Sequence, residues 1–238
     1  MLYVNYFKTI TSRFKLNQDF LDRKANLDKM PVNFQDEMLK LNVQLNSLAQ
    51  QGSPLASFSY AYELYQALRN GDLQNESKEV QQNAFDTAME YFQRATEHKI
   101  NSAHFYLGMI YYEGTYVKKN TAKALDHYIR GAAQNNAFCF FELARIYAEG
   151  DIEPKTPSLE FLYLKRSAEE GFVNAQHLLG IAYSRGEICS KNEYKALSWF
   201  RESVRNGNPV SYLNAGELLE GDRFKNKLFA LVNYLGAY

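Results

Sequence analysis

The stretch AHFYLGMIYYEG, residues 103–114, returns as CFFELARIYAEG at 139–150 and as AQHLLGIAYSRG at 175–186. The places of Ala103, Leu107, Gly108, Tyr111 and Gly114 recur with an offset of 36 residues each time, Cys139 and Ala144 standing in for alanine and glycine in the middle copy. A period of this size marks a helical solenoid, in which each copy is one supersecondary unit that buries its apolar face only by stacking on its neighbours. Such a chain offers an extended surface rather than a single enclosed cleft.

A second stripe runs between the copies at Ala88/Phe92/Thr96, Ala124/Tyr128/Ala132, Glu160/Leu164/Ala168 and Ala196/Phe200/Val204, again 36 residues apart. Steps of four put each trio on one helical face, the face that must pack against the first helix. Cap chemistry repeats as well. Asn120, Thr156 and Asn192 suit the N-cap of the second helix, with Pro157 at the first helical position. Gly171 and Gly207 suit a left-handed C-cap, and Asn135 holds that place one copy earlier; Gly114, Gly150 and Gly186 end the first helices.

Degenerate copies flank these three. Ala56, Tyr60, Ala61 and Leu64 write a first helix followed by a polar excursion over roughly 70–83, eleven residues longer than in the other copies. Leu41, Leu45 and Ala49 before Gly52 read as the second helix of a half repeat. Ser211, Ala215, Gly216 and Leu219 open another copy, with Phe229, Ala230 and Tyr234 on a final shortened helix. The expected organisation is an arm over 1–32 and an all-α solenoid of antiparallel helix pairs over 33–238. Its units are a half repeat at 33–52, repeats at 56–102, 103–138, 139–174 and 175–210, and a capping repeat at 211–238.

Composition narrows the partners. Basic and acidic residues balance at 27 each, so no net charge attracts nucleic acid. No apolar run is long enough to span a bilayer. Cys139 and Cys189 lie in different copies with no CxxC or Cys–His spacing, which fits a reducing, intracellular compartment without disulfides or zinc. In the arm, Tyr3, Phe7, Ile10 and Phe14 form one helical stripe, Lys8, Arg13 and Lys15 are basic, and no acid precedes Asp19. That pattern suits either a mitochondrial presequence or an amphipathic helix packed on the solenoid or a partner, so cytoplasm and mitochondrion both stay open.

The repeat resembles the Sel-one-like repeat family, a relative of the tetratricopeptide repeat with a slightly longer period. The resemblance rests on Ala103, Leu107, Gly108, Tyr111, Gly114, Val117, Lys123, Ala124, Tyr128, Ala132 and Ala133. It rests again on Ala175, Leu179, Gly180, Tyr183, Gly186, Ile188, Lys195, Ala196, Trp199, Phe200 and Gly207. The second loop glycine of the family is replaced around Tyr116, Ile152 and Ile188, and the usual loop aspartate is asparagine or threonine. The resemblance implies a right-handed superhelix, and a non-enzymatic scaffold, adaptor or accessory subunit that binds protein. It also admits a toxin- or effector-neutralising protein. A β-lactam hydrolase, linked to cysteine-rich relatives with regular Cys pairs, lacks those pairs here.

No catalytic motif is present: no HExxH, GxSxG, P-loop or GxGxxG. His98, His104, His127 and His177 fall on different elements and read as packing or surface residues, so no metal, cofactor or catalytic group is expected. By analogy with tetratricopeptide solenoids, the third, seventh, tenth and eleventh residues of each first helix line a concave groove. The expected partner-binding residues are Phe58, Tyr62, Tyr65, Phe105, Met109, Tyr112, Phe141, Arg145, His177, Ile181, Arg185 and Glu217. The groove reads as aromatic in its first half and charged in its second. Either a partner or the arm, through Phe7, Ile10, Phe14 and Phe20, would fill it.

Overall fold

The computed structural model describes residues 43–149 and 157–220. The arm, the loop holding Gly150, Ile152 and Thr156, and the closing segment with Phe229, Ala230 and Tyr234 lie outside the described residues. Every regular element described is helical. After helical residues 43–50 come α1 (Pro54–Asn70), α2 (Lys78–Glu97), α3 (Asn101–Glu113), α4 (Thr121–Ala133) and α5 (Ala137–Glu149). They are followed by α6 (Pro157–Glu169), α7 (Val173–Arg185), α8 (Glu193–Arg205) and α9 (Val210–Glu220).

These helices pack in sequence-adjacent pairs, α1 on α2, α3 on α4, α5 on α6 and α7 on α8, and each pair stacks on the next. Apolar periodicity explains the pairing. Ala124, Tyr128 and Ala132 are buried on one face of α4, as are Ala196 and Phe200 on α8 and Leu164 and Ala168 on α6. Opposite them, Ala103, Leu107, Cys139, Leu143, Ala175 and Leu179 are completely buried on α3, α5 and α7. Two small residues set the closeness of approach. A Cβ on Gly108 would come within 2.5 Å of the Tyr128 ring, and one on Gly180 within 2.6 Å of the Phe200 ring.

The caps keep the same register. The Asn120 and Asn192 side chains accept from the Lys123 and Lys195 amides at 3.0 and 2.9 Å, closing the first turns of α4 and α8. Their own amides donate back to the Tyr111 and Tyr183 carbonyls, both at 2.8 Å, which fixes the turn. Gly171 and Gly207 take positive φ after the second helices, and Asn135 does the same at φ 58°. One copy earlier the place is held by Lys99, at φ 60°, an uncommon conformation for a side chain of that size.

The loop expected over 70–83 is shorter than its polar sequence implies. Gly71 caps α1 in the left-handed conformation, and Ser77 accepts from the Val80 amide to start α2. Residues 78–83 are therefore helix. At 17 and 20 residues, against 13 in each helix of the α3/α4 pair, α1 and α2 absorb the whole eleven-residue excess. Lysine, glutamate and glutamine on an exposed helical face look the same as loop residues in composition, which is why polarity misled here.

Candidate partner-binding face

Five of the twelve residues expected to line a groove are core residues instead. Phe58, Tyr62, Tyr65, Phe105 and Met109 are 2–7% exposed. Phe58 packs against Phe92 and Tyr106, Tyr62 and Tyr65 against Tyr106, and Phe105 against Tyr106, Tyr128 and Phe138. The stacking of pairs turns these positions into seams, between α1, α2 and α3 for Phe58, Tyr62 and Tyr65 and between α3, α4 and α5 for Phe105, which a single helix wheel cannot register. The others stay nearer the surface. Tyr112, Phe141, Arg145, His177 and Ile181 are half-buried, and Arg185 and Glu217 are exposed.

Two of the tyrosines form a ladder along the first helices. Tyr65 donates from its hydroxyl to Glu113 at 3.2 Å, and Tyr112, at the same repeat position, donates to Glu149 at 2.9 Å. Each bond ties the tenth residue of one first helix to the eleventh of the next. Arg69 approaches Glu113 at 3.5 Å. Around Tyr112 the cluster is denser. Arg145 bonds Glu142 at 2.6 Å, Glu149 at 2.8 Å and the Tyr112 hydroxyl at 3.3 Å, and its guanidinium lies 4.5 Å from the Tyr112 ring centre. Lys119 Nζ also stands 4.5 Å from that ring centre, so the phenol meets two cations. Burial would lower the Arg145 pKa, but the Glu142 carboxylate and these hydrogen bonds outweigh it and hold the guanidinium charged.

The ladder stops after α5, because Ala148 and Ser184 stand where Tyr65 and Tyr112 stand. Between α7 and α9 a cavity of about 180 Å³ opens, lined by Ile181, Ser184, Arg185, Phe200, Asn214, Glu217 and Leu218. Three expected residues, Ile181, Arg185 and Glu217, thus meet at one place. The volume is below the roughly 300–1,000 Å³ of pockets for small-molecule ligands and suits one side chain. His177 lies to one side, its Nδ1 2.7 Å from Ser211 Oγ, which in turn bonds Ser203 Oγ at 2.9 Å. Phe141 packs on Phe172, ring centres 4.8 Å apart.

A histidine pair escaped the reading of the sequence. His104 Nδ1 and His127 Nδ1 lie 3.3 Å apart, and the His127 ring stacks on Tyr111. Burial, then the neighbouring His104, pulls His127 down to about 4, and burial also lowers His104. The repeat register could have found the pair, since the places of His104 and His127 are taken one copy later by Phe140 and Tyr163, which also stack. Among the described residues no group of three or more His, Cys, Asp or Glu side chains is placed to hold a metal ion. Cys139 is buried, and burial holds its thiol well above the ordinary range; Cys189 is a second free thiol in the loop after α7.

The comparisons with known proteins agree with this geometry. The Sel1 repeat family model matches residues 69–99, 101–136 and 173–208, so three segments of the chain are Sel1 repeats. The crystal structure of a Sel1 repeat protein from Oxalobacter formigenes superposes with a TM-score of 0.65 at 23% identity, covering 77% of this chain and 71% of that one. That of c5321, a protective antigen present in uropathogenic Escherichia coli strains displaying an SLR fold, gives 0.59 at 25% identity, covering 71% of this chain and 34% of that one. An F-box protein of Arabidopsis thaliana is 30% identical over 91 residues, 38% of this chain. The match spans 24% of the length of that relative. The family model passes over the stretch containing α5 and α6, although those helices pair as the others do.

Proposed function

We propose that this Sel1 repeat chain is a non-enzymatic scaffold that holds a segment of a partner protein along its first helices, as an adaptor or accessory subunit. The observation that carries the reading is the cleft between α7 and α9, where Ile181, Phe200 and Leu218 meet the polar Ser184 and Asn214 and the charges of Arg185 and Glu217. A small cleft that pairs apolar side chains with polar and charged ones suits an amphipathic anchor residue of a protein interface. The fold is one generally used for protein–protein interaction, and no helix among the described residues is long and apolar enough to cross a membrane. A role in neutralising a toxin or effector would use the same face. No observation favours the hydrolase alternative, for which the buried, protonated Cys139 is a poor nucleophile.

The test exploits the exposure of two of these residues. Arg185→Glu combined with Glu217→Lys reverses the rim charges without touching the core. Affinity capture from native extract with quantitative mass spectrometry should recover a defined protein with the wild type and lose it with this variant. Tyr194→Ala, on the solvent side of α8, should leave recovery intact. Equal recovery by wild type and charge-reversed chain would refute the assignment.

A further inference from the structure

The cleft between α7 and α9 is the repeat equivalent of the site that Tyr112 occupies between α3 and α5, with serine in place of the ring. Moving 72 residues along the chain carries Met109 to Ile181, Tyr112 to Ser184, Glu113 to Arg185, Tyr128 to Phe200 and Arg145 to Glu217. Those are members of the cavity lining. In the upstream copy the space is filled by the Tyr112 ring, lying under Arg145 and Lys119 with its hydroxyl on Glu149. In the downstream copy Ser184 turns its hydroxyl back on its own helix, donating to the Ile181 carbonyl at 2.8 Å, and about 180 Å³ remains open. The serine is satisfied locally, so it does not itself call for a ligand; the missing ring does.

We infer that this cavity receives a tyrosine side chain carried by a partner protein, which completes in trans the packing that Tyr112 provides in cis. The inference rests on the interaction face proposed above. Charge complementarity supports the phenol over a plain apolar group. The signs at the rim are exchanged relative to the upstream site, an arginine for Glu113 and a glutamate for Arg145. Glu217 is thus an acceptor for a phenolic hydroxyl at one edge of the cavity, and Arg185 is a cation for the ring face at the other. Lys191 holds the register place of Lys119 but pairs with Glu193 at 3.3 Å and does not line the cavity, so Arg185 is the cation at this site. Ile181, Phe200 and Leu218 supply the floor. A side chain longer than tyrosine overfills the space, and an aliphatic one leaves Glu217 without its donor.

The experiment uses p-cresol, the tyrosine side chain as a free molecule, titrated into the full chain carrying labelled isoleucine and leucine methyls. Saturable shifts should be confined to methyls around the cleft, Ile181 and Leu218 foremost, and toluene should bind about three- to tenfold more weakly for want of the hydroxyl. Ser184→Tyr fills the space in cis and should abolish the shifts. Glu217→Gln, an exposed change that leaves the fold alone, should bring p-cresol closer to toluene, which keeps the test open if Ser184→Tyr folds poorly. Absence of saturable shifts at Ile181 and Leu218, or equal binding of p-cresol and toluene, overturns the tyrosine. Tighter p-cresol binding in Tyr234→Ala or Tyr238→Ala would assign the space to the chain's own terminal segment and overturn the partner. Loss of partner recovery on charge reversal, together with no p-cresol binding, refutes the tyrosine and leaves the interaction face standing. Cresol binding with unchanged recovery refutes the face instead.

Discussion

Gly108→Ala is the sharpest probe of how the helix pairs are held. A Cβ there would lie 2.5, 2.7 and 2.9 Å from three carbons of the Tyr128 ring, which is 1% exposed and has no room to withdraw. Carbon atoms pack at about 3.5–4.0 Å, so the ring must give by roughly 1 Å. The helix gains about 1 kcal/mol from alanine over glycine. Overpacking of a close-packed interior costs about 1–3 kcal/mol, and a violation this deep belongs at the upper end. The expected net loss is about 2 kcal/mol, or roughly 4–8 °C in Tm for a chain of this size. Gly180→Ala, facing the Phe200 ring at 2.6 Å, should behave alike. Gly216 occupies the same repeat position on α9, and no described residue stands within 4 Å of a Cβ built there. Gly216→Ala should therefore stabilise by up to about 1 kcal/mol. Urea unfolding of the full chain followed by far-UV circular dichroism measures all three. Tyr128→Leu in the Gly108→Ala background should recover at least about 1 kcal/mol relative to the sum of the single changes. If Gly108→Ala is as stable as the wild type, or the three substitutions share one sign, the close-approach account is wrong.

Three further outcomes follow from single residues. His127 is held at about 4 when folded and near 6.5 when unfolded, so the unfolded chain takes up its proton first as pH falls. Its contribution is fully present above about pH 6.5 and is lost between there and about pH 4. The shift corresponds to about 3 kcal/mol, which screening at a half-buried ring reduces to about 1–2 kcal/mol. His127→Gln should flatten urea-derived stability against pH across that window, and an unchanged slope would count against it. Lys99→Gly relieves a positive φ where the later copies carry Gly171 and Gly207, and should raise stability by about 0.5–1 kcal/mol in a thermal melt; a lower Tm would contradict this. Asn120→Ala and Asn192→Ala each remove a cap worth about 1 kcal/mol, and hydrogen exchange at the Lys123 and Lys195 amides should accelerate at the altered site alone.

What could be read from the sequence was whatever the 36-residue ruler measures. Ala103, Leu107, Tyr128 and Phe200 were legible as packing residues because each recurs at the same place, and the structure buries all four. Asn135 as a stand-in for glycine was legible for the same reason, and it has the positive φ its place demands. Phe58, Tyr62 and Phe105 lie outside the small-residue signature of the repeat, although phenylalanine holds the third place at 58, 105 and 141, and only the seventh place changes from Tyr62 to Met109 and Arg145. A place outside that signature is not thereby free of packing, because the seams between successive pairs are filled by these rings. The loop at 70–83 failed differently, since composition has no term that separates an exposed helix face from a turn.

Position and occupancy are therefore separate pieces of information, and only position is periodic. The ruler says that residues 112 and 184 face the same kind of space. It does not say that a tyrosine fills one and a serine leaves the other open, because that depends on what the neighbouring helix brings. Arg145 brings a cation, two carboxylates and a phenol together around the upstream site. Glu217, 72 residues on, brings the opposite charge to a cavity with nothing in its centre. A solenoid with identical copies would have closed both sites equally and left no preferred point of attachment. In this chain the register is kept while the ring is lost at Ala148 and Ser184, and at Ser184 a cavity lies where the rim charges change sign.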